Sequence, residues 1–369
     1  MCEEMFNRVA LTLIPQIGDV VAKELLHHFG NAADVFAAKK RELERIPGVG
    51  EYRANAIKSF CEHHIVEKEI QFMERNDVEA VFYTDATYPE RLRHCYDSPV
   101  MLYHKGSTAL QAPKMLGIVG TRQPTAYGIQ LCEQFIDAFK AEDITIVSGL
   151  AYGIDITAHR AALQAGLPTI GVLAHGLQTL YPAAHYYTAQ QMLQQGGLLT
   201  DFHSSASLNK QNFPRRNRIV AGICDAILVI ESGVKGGSLI TADIAAGYNR
   251  DVMALPGRVG DPGSAGCLEL IKQNKASLVT SPQDVLEILN WRPLAPVAQP
   301  VLQQTLFNTL DADEKVLLQL LEAHKALHLD ELQQRSALSR SQVSEKLMHL
   351  EMMALLRPLP GNTYELINT

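Results

Sequence analysis

From residue 113 to about 290, short unbroken runs of Ile, Val, Leu and Ala alternate with stretches in which apolar residues recur every three or four positions. Unbroken runs predict strands buried on both faces, and the periodic stretches predict helices that cover them. The runs are 115–119, 144–148, 169–174, 198–201, 226–231 and 251–255, with 277–280 a further candidate. Helices are expected over 126–140, 155–165 and 238–248. Strand and helix taking turns describes βαβ units, hence an α/β fold with a mainly parallel sheet. Such sheets bind ligands at the carboxyl ends of their strands, so chemistry is expected in the loops that follow the runs.

The flanks are patterned differently. Residues 1–75 read as helical and carry an internal repeat: Pro15-Gln16-Ile17-Gly18 then Ala22, and Pro47-Gly48-Val49-Gly50 then Ala54, offset by 32. Each copy reads as helix, tight turn, helix, and the pair resembles a tandem helix-hairpin-helix (SAM-like) domain. Turns of this kind can hold a phosphate on backbone N–H groups. The segment has 10 Lys+Arg against 12 Asp+Glu, which favours a packing role. Residues 76–112 read as short strands and turns that lead into the α/β domain (76–290). Pro293, Pro296 and Pro300 mark 291–308 as a linker. The tail, 309–369, reads as helices over 311–323, 328–335 and 339–351, then a hairpin around Pro360-Gly361-Asn362, a winged-helix pattern. Residues 301–369 hold 6 Lys+Arg and 9 Asp+Glu, which favours protein contact over duplex binding.

Over the whole chain, 33 Lys+Arg face 40 Asp+Glu, a net charge of −7. Any nucleic-acid site must therefore be a local patch. Cysteines at 2, 61, 95, 132, 224 and 267 form no CxxC and no paired spacing. That scatter speaks against a disulfide framework or a zinc site and suits a reducing cytosol. Met1-Cys2-Glu3-Glu4 is acidic where a signal peptide would be basic, and no apolar run approaches the ~18 residues of a membrane span. The expectation is a cytoplasmic protein with no membrane partner.

Four loops carry candidate chemistry. The first, Val119-Gly120-Thr121-Arg122-Gln123-Pro124, brings a glycine and an arginine to a helix N-terminus, an arrangement suited to anions. It lacks GxGxxG, and the next strand ends in Ser148-Gly149 where a dinucleotide site would keep an acid, so NAD is not expected. In the second loop, Ser148-Gly149-Leu150-Ala151-Tyr152-Gly153-Ile154-Asp155, Asp155 reads as the N-cap of a helix bearing His159 and Arg160, with structural roles for Asp155 and His159. The third is Leu208-Asn209-Lys210-Gln211-Asn212-Phe213-Pro214-Arg215-Arg216-Asn217-Arg218-Ile219. It places four cations and no carboxylate between Asp201 and Asp225, with Phe213 among them and outside any helical stripe. Cations for phosphates and a ring for bases suit single-stranded nucleic acid. Asn217 and Arg218, within the next helix, are expected to pack or pair internally. The fourth, Glu231-Ser232-Gly233-Val234-Lys235-Gly236-Gly237-Ser238, is a phosphate cradle with Ser238 as N-cap, and it is not a Walker A loop because GK[ST] is absent.

Together and in this order, Gly120-Thr121-Arg122, Ser148–Asp155, Asn212–Ile219, Gly237-Ser238-Leu239-Ile240-Thr241-Ala242 and Ala254-Leu255-Pro256-Gly257 resemble the DNA-processing protein A (DprA/Smf) family over about 76–290. The resemblance implies a Rossmann-like domain flanked by helical and winged-helix domains. It also implies binding of single-stranded DNA, loading of RecA onto it during natural transformation, and homodimers formed through the Rossmann-like domain. Its DNA contacts carry over to Gly120, Thr121, Arg122, Lys210 and Phe213, with Gly236, Gly237 and Ser238 as a phosphate contact. Ser148, Gly149, Arg215 and Arg216 complete the candidate set. No enzyme activity, cofactor or metal is implied. The competing reading is a nucleotide phosphoribohydrolase of similar fold, whose helix start requires a glutamate where this chain has Thr241.

Overall fold

The computed structural model describes residues 3–291, 310–324, 326–353, 355–359 and 361–366. The chain divides after Trp291 into two units, Met1–Trp291 and Arg292–Thr369. Apart from Trp291, the linker reading of 291–308 falls outside the described residues, as does Pro360 of the C-terminal turn.

The N-terminal helices are α1 (Glu3–Leu13), α2 (Asp19–Phe29), α3 (Ala32–Ala37), α4 (Lys40–Leu43), α5 (Gly50–Lys58) and α6 (His63–Arg75). Both repeat copies are present, but the first helix of the second copy, α4, is a single turn. Equivalent turn positions Gln16 and Gly48 both take left-handed backbone, φ 70° and 79°, a conformation cheap only for the glycine. Ala22 and Ala54 are both buried in the core of the N-terminal helices. Arg53 ties the two copies together by donating to the carbonyls of Gln16 and Gly48.

The segment 76–112 does more than lead in. It supplies β1 (Glu79–Phe82), the short α7 (Glu90–Arg93) and β2 (Met101–Gly106), and both strands join the main sheet. Then follow β3 (Lys114–Val119), α8 (Ala126–Ala138), β4 (Ile144–Ser148), α9 (Ile154–Ala165), β5 (Thr169–Val172), α10 (Tyr186–Gln195), β6 (Gly197–Thr200) and α11 (Asn212–Ile223). The domain closes with β7 (Ala226–Val229), α12 (Gly237–Gly247), β8 (Asp251–Ala254), α13 (Ala265–Lys272), β9 (Ser277–Leu278) and α14 (Pro282–Ile288). The nine strands run β1-β2-β6-β5-β4-β3-β7-β8-β9. β3 to β9 are parallel, and β2 pairs antiparallel with β6, Tyr103 opposite Thr200. Successive residues serve opposite faces, as pleating requires. Met115, Val147 and Ile227 pack with α11 and α12, while Leu116, Ile146 and Leu228 pack with α8 and α9. Phe82, Val100, Met101 and Tyr103 belong to the core of the N-terminal helices, so helices and sheet share one unit.

From β3 the chain winds outward through β4 and β5, then returns to β7 on the other side of β3. The strand order reverses there, and the crevice between the β3 and β7 loops is the expected ligand position. The strands at 169–172 and 226–229 stop two residues before the apolar runs do: Leu173-Ala174 line a hollow beyond the end of β5, Ile230 stays in the core, and the Glu231 carbonyl accepts the Thr121 N–H.

The C-terminal unit holds helices Ala312–His324, Leu329–Ser336 and Arg340–Met352 and an antiparallel sheet ordered β10 (Ala326–His328), β12 (Thr363–Leu366), β11 (Leu356–Leu359). β10 has no counterpart in the apolar pattern because only Leu327 in it is buried. Ser339 and Gln342 form a capping box that starts the third helix, whose Val343, Leu347 and Leu350 face the core. Among the described residues no helix is long and apolar enough to cross a membrane.

Candidate nucleic-acid interface

A cleft of about 370 Å³ opens at the carboxyl ends of β3, β4 and β7. Its walls come from the β3 loop (Gly120, Thr121, Arg122), the β4 loop (Gly149, Ala151), the first turns of α11 (Phe213, Arg216, Asn217) and the start of α12 (Gly236, Gly237, Ser238). Three distant loops meet because their backbones interlock. Thr121 N–H donates to the Glu231 carbonyl at 2.7 Å, and Ile154 N–H donates to the Thr121 carbonyl at 3.1 Å. A Cβ on Gly120 would stand 2.5 Å from Ile154, and one on Gly153 (φ +81°) 2.2 Å from the Thr121 carbonyl, so neither position admits a side chain.

Glu231, at the start of the fourth loop and given no role by the sequence pattern, is the keystone. It is 4% exposed, and its carboxylate accepts the Thr125 N–H and, at 2.9 Å, the Thr125 hydroxyl. Thr125 in turn caps α8 by accepting the Gly128 N–H. The signal in the sequence was Gly128 inside a helix: a Cβ there would stand 2.0 Å from a Glu231 oxygen.

Asp155 is not the N-cap of α9; that position is Gly153, and Asp155 lies inside the first turn. From there its carboxylate accepts N–H from Gly149 (3.1 Å) and Ala151 (3.4 Å), which folds the β4 loop back over the helix start. Burial pushes the Asp155 carboxyl up, and the Arg216 charge opposes that rise. Arg216 is 4% exposed, donates to the Val172 carbonyl, and has its own acidity shifted by burial in turn. Its guanidinium occupies the space a Cβ on Gly149 would need, 2.0 Å away. His159 is fully buried with Nδ1 2.7 Å from the Thr169 hydroxyl, and burial with the nearby His185 and Arg216 holds its pKa down to about 3. It is a neutral core residue.

The candidate residues separate into groups. Gly120, Thr121, Arg122, Gly149, Phe213, Arg216, Gly236, Gly237 and Ser238 all line the cleft. Asn217, expected to pack internally, lines it too. Phe213 lies in the first turn of α11, inside a helix after all, because Asn212 docks that turn by donating to the carbonyls of Ala174 and Ser207. The Arg122 guanidinium stands 5.2 Å from the Phe213 ring centroid. Ser148 is fully buried and donates to the Ile118 carbonyl at 2.6 Å, so it braces the sheet beneath the cleft. Lys210 is exposed on the turn before α11, outside the cleft lining.

Arg215 points elsewhere, 3.4 Å from Asp201 and 3.6 Å from Asp19, with its guanidinium over Phe202. Arg218 bridges the same two carboxylates at 2.8 Å each, the internal pairing its helical position suggested. Ser238 is not the N-cap of α12: Gly236 is, and the Ser238 hydroxyl donates to Ser232 at 2.8 Å. A Cβ on Gly236 would stand 2.2 Å from that Ser232 hydroxyl oxygen. The N-cap and first position of the helix, Gly236 and Gly237, thus carry no side chain, an arrangement suited to an anion.

Fold and site together define a Rossmann-like α/β protein with a cleft at its topological switch point, lined by Arg122, Arg216 and Phe213. The chain belongs to the DNA recombination-mediator protein A (DprA/Smf) family, whose model matches residues 79–290. A DprA winged-helix model matches 300–362 and a helix-hairpin-helix motif 8–70. Protein Smf of Synechocystis is 31% identical, the match covering 97% of both chains. Protein Smf of Escherichia coli is 38% identical over 239 residues, 63% of this chain and 60% of that one. Among solved structures, DNA processing protein A of Streptococcus pneumoniae matches with a TM-score of 0.63 and 33% identity, covering 76% of this chain and 95% of that one. DNA processing protein A of Helicobacter pylori, described for its single-stranded DNA binding mode, matches at 0.53 and 28%, covering 58% and 95%.

Proposed function

We propose that the cleft binds single-stranded DNA and that the protein is a recombination mediator, loading RecA onto incoming strands during natural transformation in the cytoplasm. The observation that carries the reading is Arg122 set over Phe213 at the mouth of a cleft floored by the bare N-terminus of α12. A cation and a helix start take phosphates, and a ring takes a base. The relative from Helicobacter pylori supports it. The reading is of binding: Asp155, the one carboxylate among the described residues lining the cleft, is already engaged by two backbone N–H groups. In this reading the protein is a homodimer joined through the Rossmann-like domain, and Lys210 holds a phosphate outside the cleft.

The test is a titration of single-stranded against duplex DNA with wild type and an Arg122→Ala/Lys210→Ala double variant. Single strands are expected to bind more tightly than duplex, and the folded double variant to bind them more weakly. Equal binding by variant and wild type would overturn the proposal.

A further inference from the structure

Past Arg122 and Phe213 the cleft adjoins a second, much smaller hollow of about 20 Å³ that both residues also line, together with Tyr152, Leu173, His175 and Tyr181. Tyr152 and Tyr181 are 46% and 45% exposed. The Tyr181 ring stands 6.4 Å from Phe213, at 63° to it. Among the described residues lining the hollow there is no carboxylate to repel a phosphate.

Each tyrosine sits on backbone fixed by a buried histidine. His175, 1% exposed, accepts the Tyr181 N–H on Nε2 at 3.1 Å and donates Nδ1–H to the Gly176 carbonyl at 2.9 Å. Gly176 is locked as well, since a Cβ would lie 2.1 Å from the His203 carbonyl. His185, 3% exposed, donates Nδ1–H to the Leu150 carbonyl at 2.9 Å, and its ring meets Tyr152 edge-on with centroids 4.9 Å apart. Two rigid loops therefore hold half-exposed rings beside the one aromatic already placed at the cleft. Rings held in this way lose little conformational entropy when a flat ligand stacks on them.

We propose that Tyr181 and Tyr152 extend the Phe213 platform and stack further bases of the same single strand where it leaves the cleft. The inference rests on the single-strand reading above. The occupant follows from continuity: Arg122 and Phe213 line both hollows, so the rings stand on one path out of the cleft for a strand held at Arg122. Base stacking is sequence-tolerant and carries no charge.

The experiment uses the full chain with oligothymidine and with an abasic oligomer of equal length, over a range of salt. Tyr181→Ala is expected to weaken thymidine binding about 5- to 150-fold, to leave abasic binding and the salt slope unchanged, and to be rescued by Tyr181→Phe. Tyr152→Ala should act in the same direction. Thermal unfolding of each variant establishes that it is folded. Wild-type thymidine affinity in both tyrosine variants, with Phe213→Ala weakened, would overturn the platform and leave the cleft reading standing. Equal loss on thymidine and abasic strands would overturn it as well. Wild-type affinity in the Arg122→Ala/Lys210→Ala variant would instead remove the reading on which it rests.

Discussion

Glu69 of α6 reaches across to the β6–α11 loop and accepts three hydrogen bonds from Ser204, from its N–H at 2.8 and 2.9 Å and from its hydroxyl at 2.5 Å. Both residues are buried, at 3% and 8% exposure. The segment carrying Lys210 and Phe213 is thus clamped to the N-terminal helices, and Asp19 of α2 clamps it again through Arg218. Glu69→Leu strands the Ser204 N–H and hydroxyl without partners. It is expected to cost about 2–6 kcal/mol in urea unfolding, since each of the two orphaned buried donors costs roughly 1–3 kcal/mol of desolvation. A loss below 0.5 kcal/mol, at most about a tenth of a typical domain's stability, would show the clamp to be energetically idle.

The two kinds of contact proposed for the cleft are separable by salt. Phe213→Ala should weaken single-strand binding about 5- to 150-fold without altering the salt dependence. Arg122→Ala and Lys210→Ala should each make the log–log salt slope shallower by about 0.7, one phosphate's worth. A slope change in Phe213→Ala and none in the cation variants would reverse these assignments.

Gly149→Ala asks whether Arg216 must lie where it does. The added methyl would meet the guanidinium at 2.0 Å, so either Arg216 leaves the cleft wall or the β4 loop opens. Either outcome lowers strand affinity, and the expected loss exceeds that of Gly247→Ala, outside the cleft lining, where a Cβ has nothing within 4 Å. Equal affinities in the two variants would count against a role for this wall.

His159 gives the native state a marked acid sensitivity. Its folded pKa lies near 3, whereas an unfolded histidine titrates near ~6.5. Between those values the unfolded chain binds the extra proton, so stability is complete above pH 6.5 and falls as pH drops toward 3. By pH 5 this one group should cost about 2 kcal/mol. The difference in unfolding free energy between wild type and His159→Leu should therefore shift by that amount from pH 7 to 5; parallel profiles would exclude it.

The winged-helix unit is expected to contribute little to single-strand affinity, because residues 301–369 carry a net charge of −3. Deleting them should change that affinity by no more than a few-fold, measured by anisotropy. A loss of a hundredfold would place a main DNA contact there.

Much of this protein was legible along the chain. The runs 144–148 and 251–255 match their strands to within a residue, because a strand covered on both faces leaves an unbroken apolar signature. The helical repeat is equally legible, since its proline and glycine spacing recurs at a fixed offset of 32. The cation-rich segment with Phe213 stood out by composition against an acidic chain. These features arise from residues near one another in sequence.

What tertiary structure decided is which of those charges and rings face outward together. Arg215, Arg216 and Arg218 are neighbours of one type, yet Arg216 lines the cleft while Arg215 and Arg218 turn to Asp19 and Asp201. Their directions follow from the helical turn of α11 and from a carboxylate about 200 residues distant in sequence. Glu231 reads as an ordinary loop acid until Thr125 is brought to it, and Tyr152 and Tyr181 read as unremarkable loop residues until His185 and His175 fix them beside Phe213. Sequence by itself determined the elements and the chemistry available, through local propensity and burial pattern. Only the meeting of three strand ends at the β3–β7 reversal, a property of topology, determined which of that chemistry forms one site.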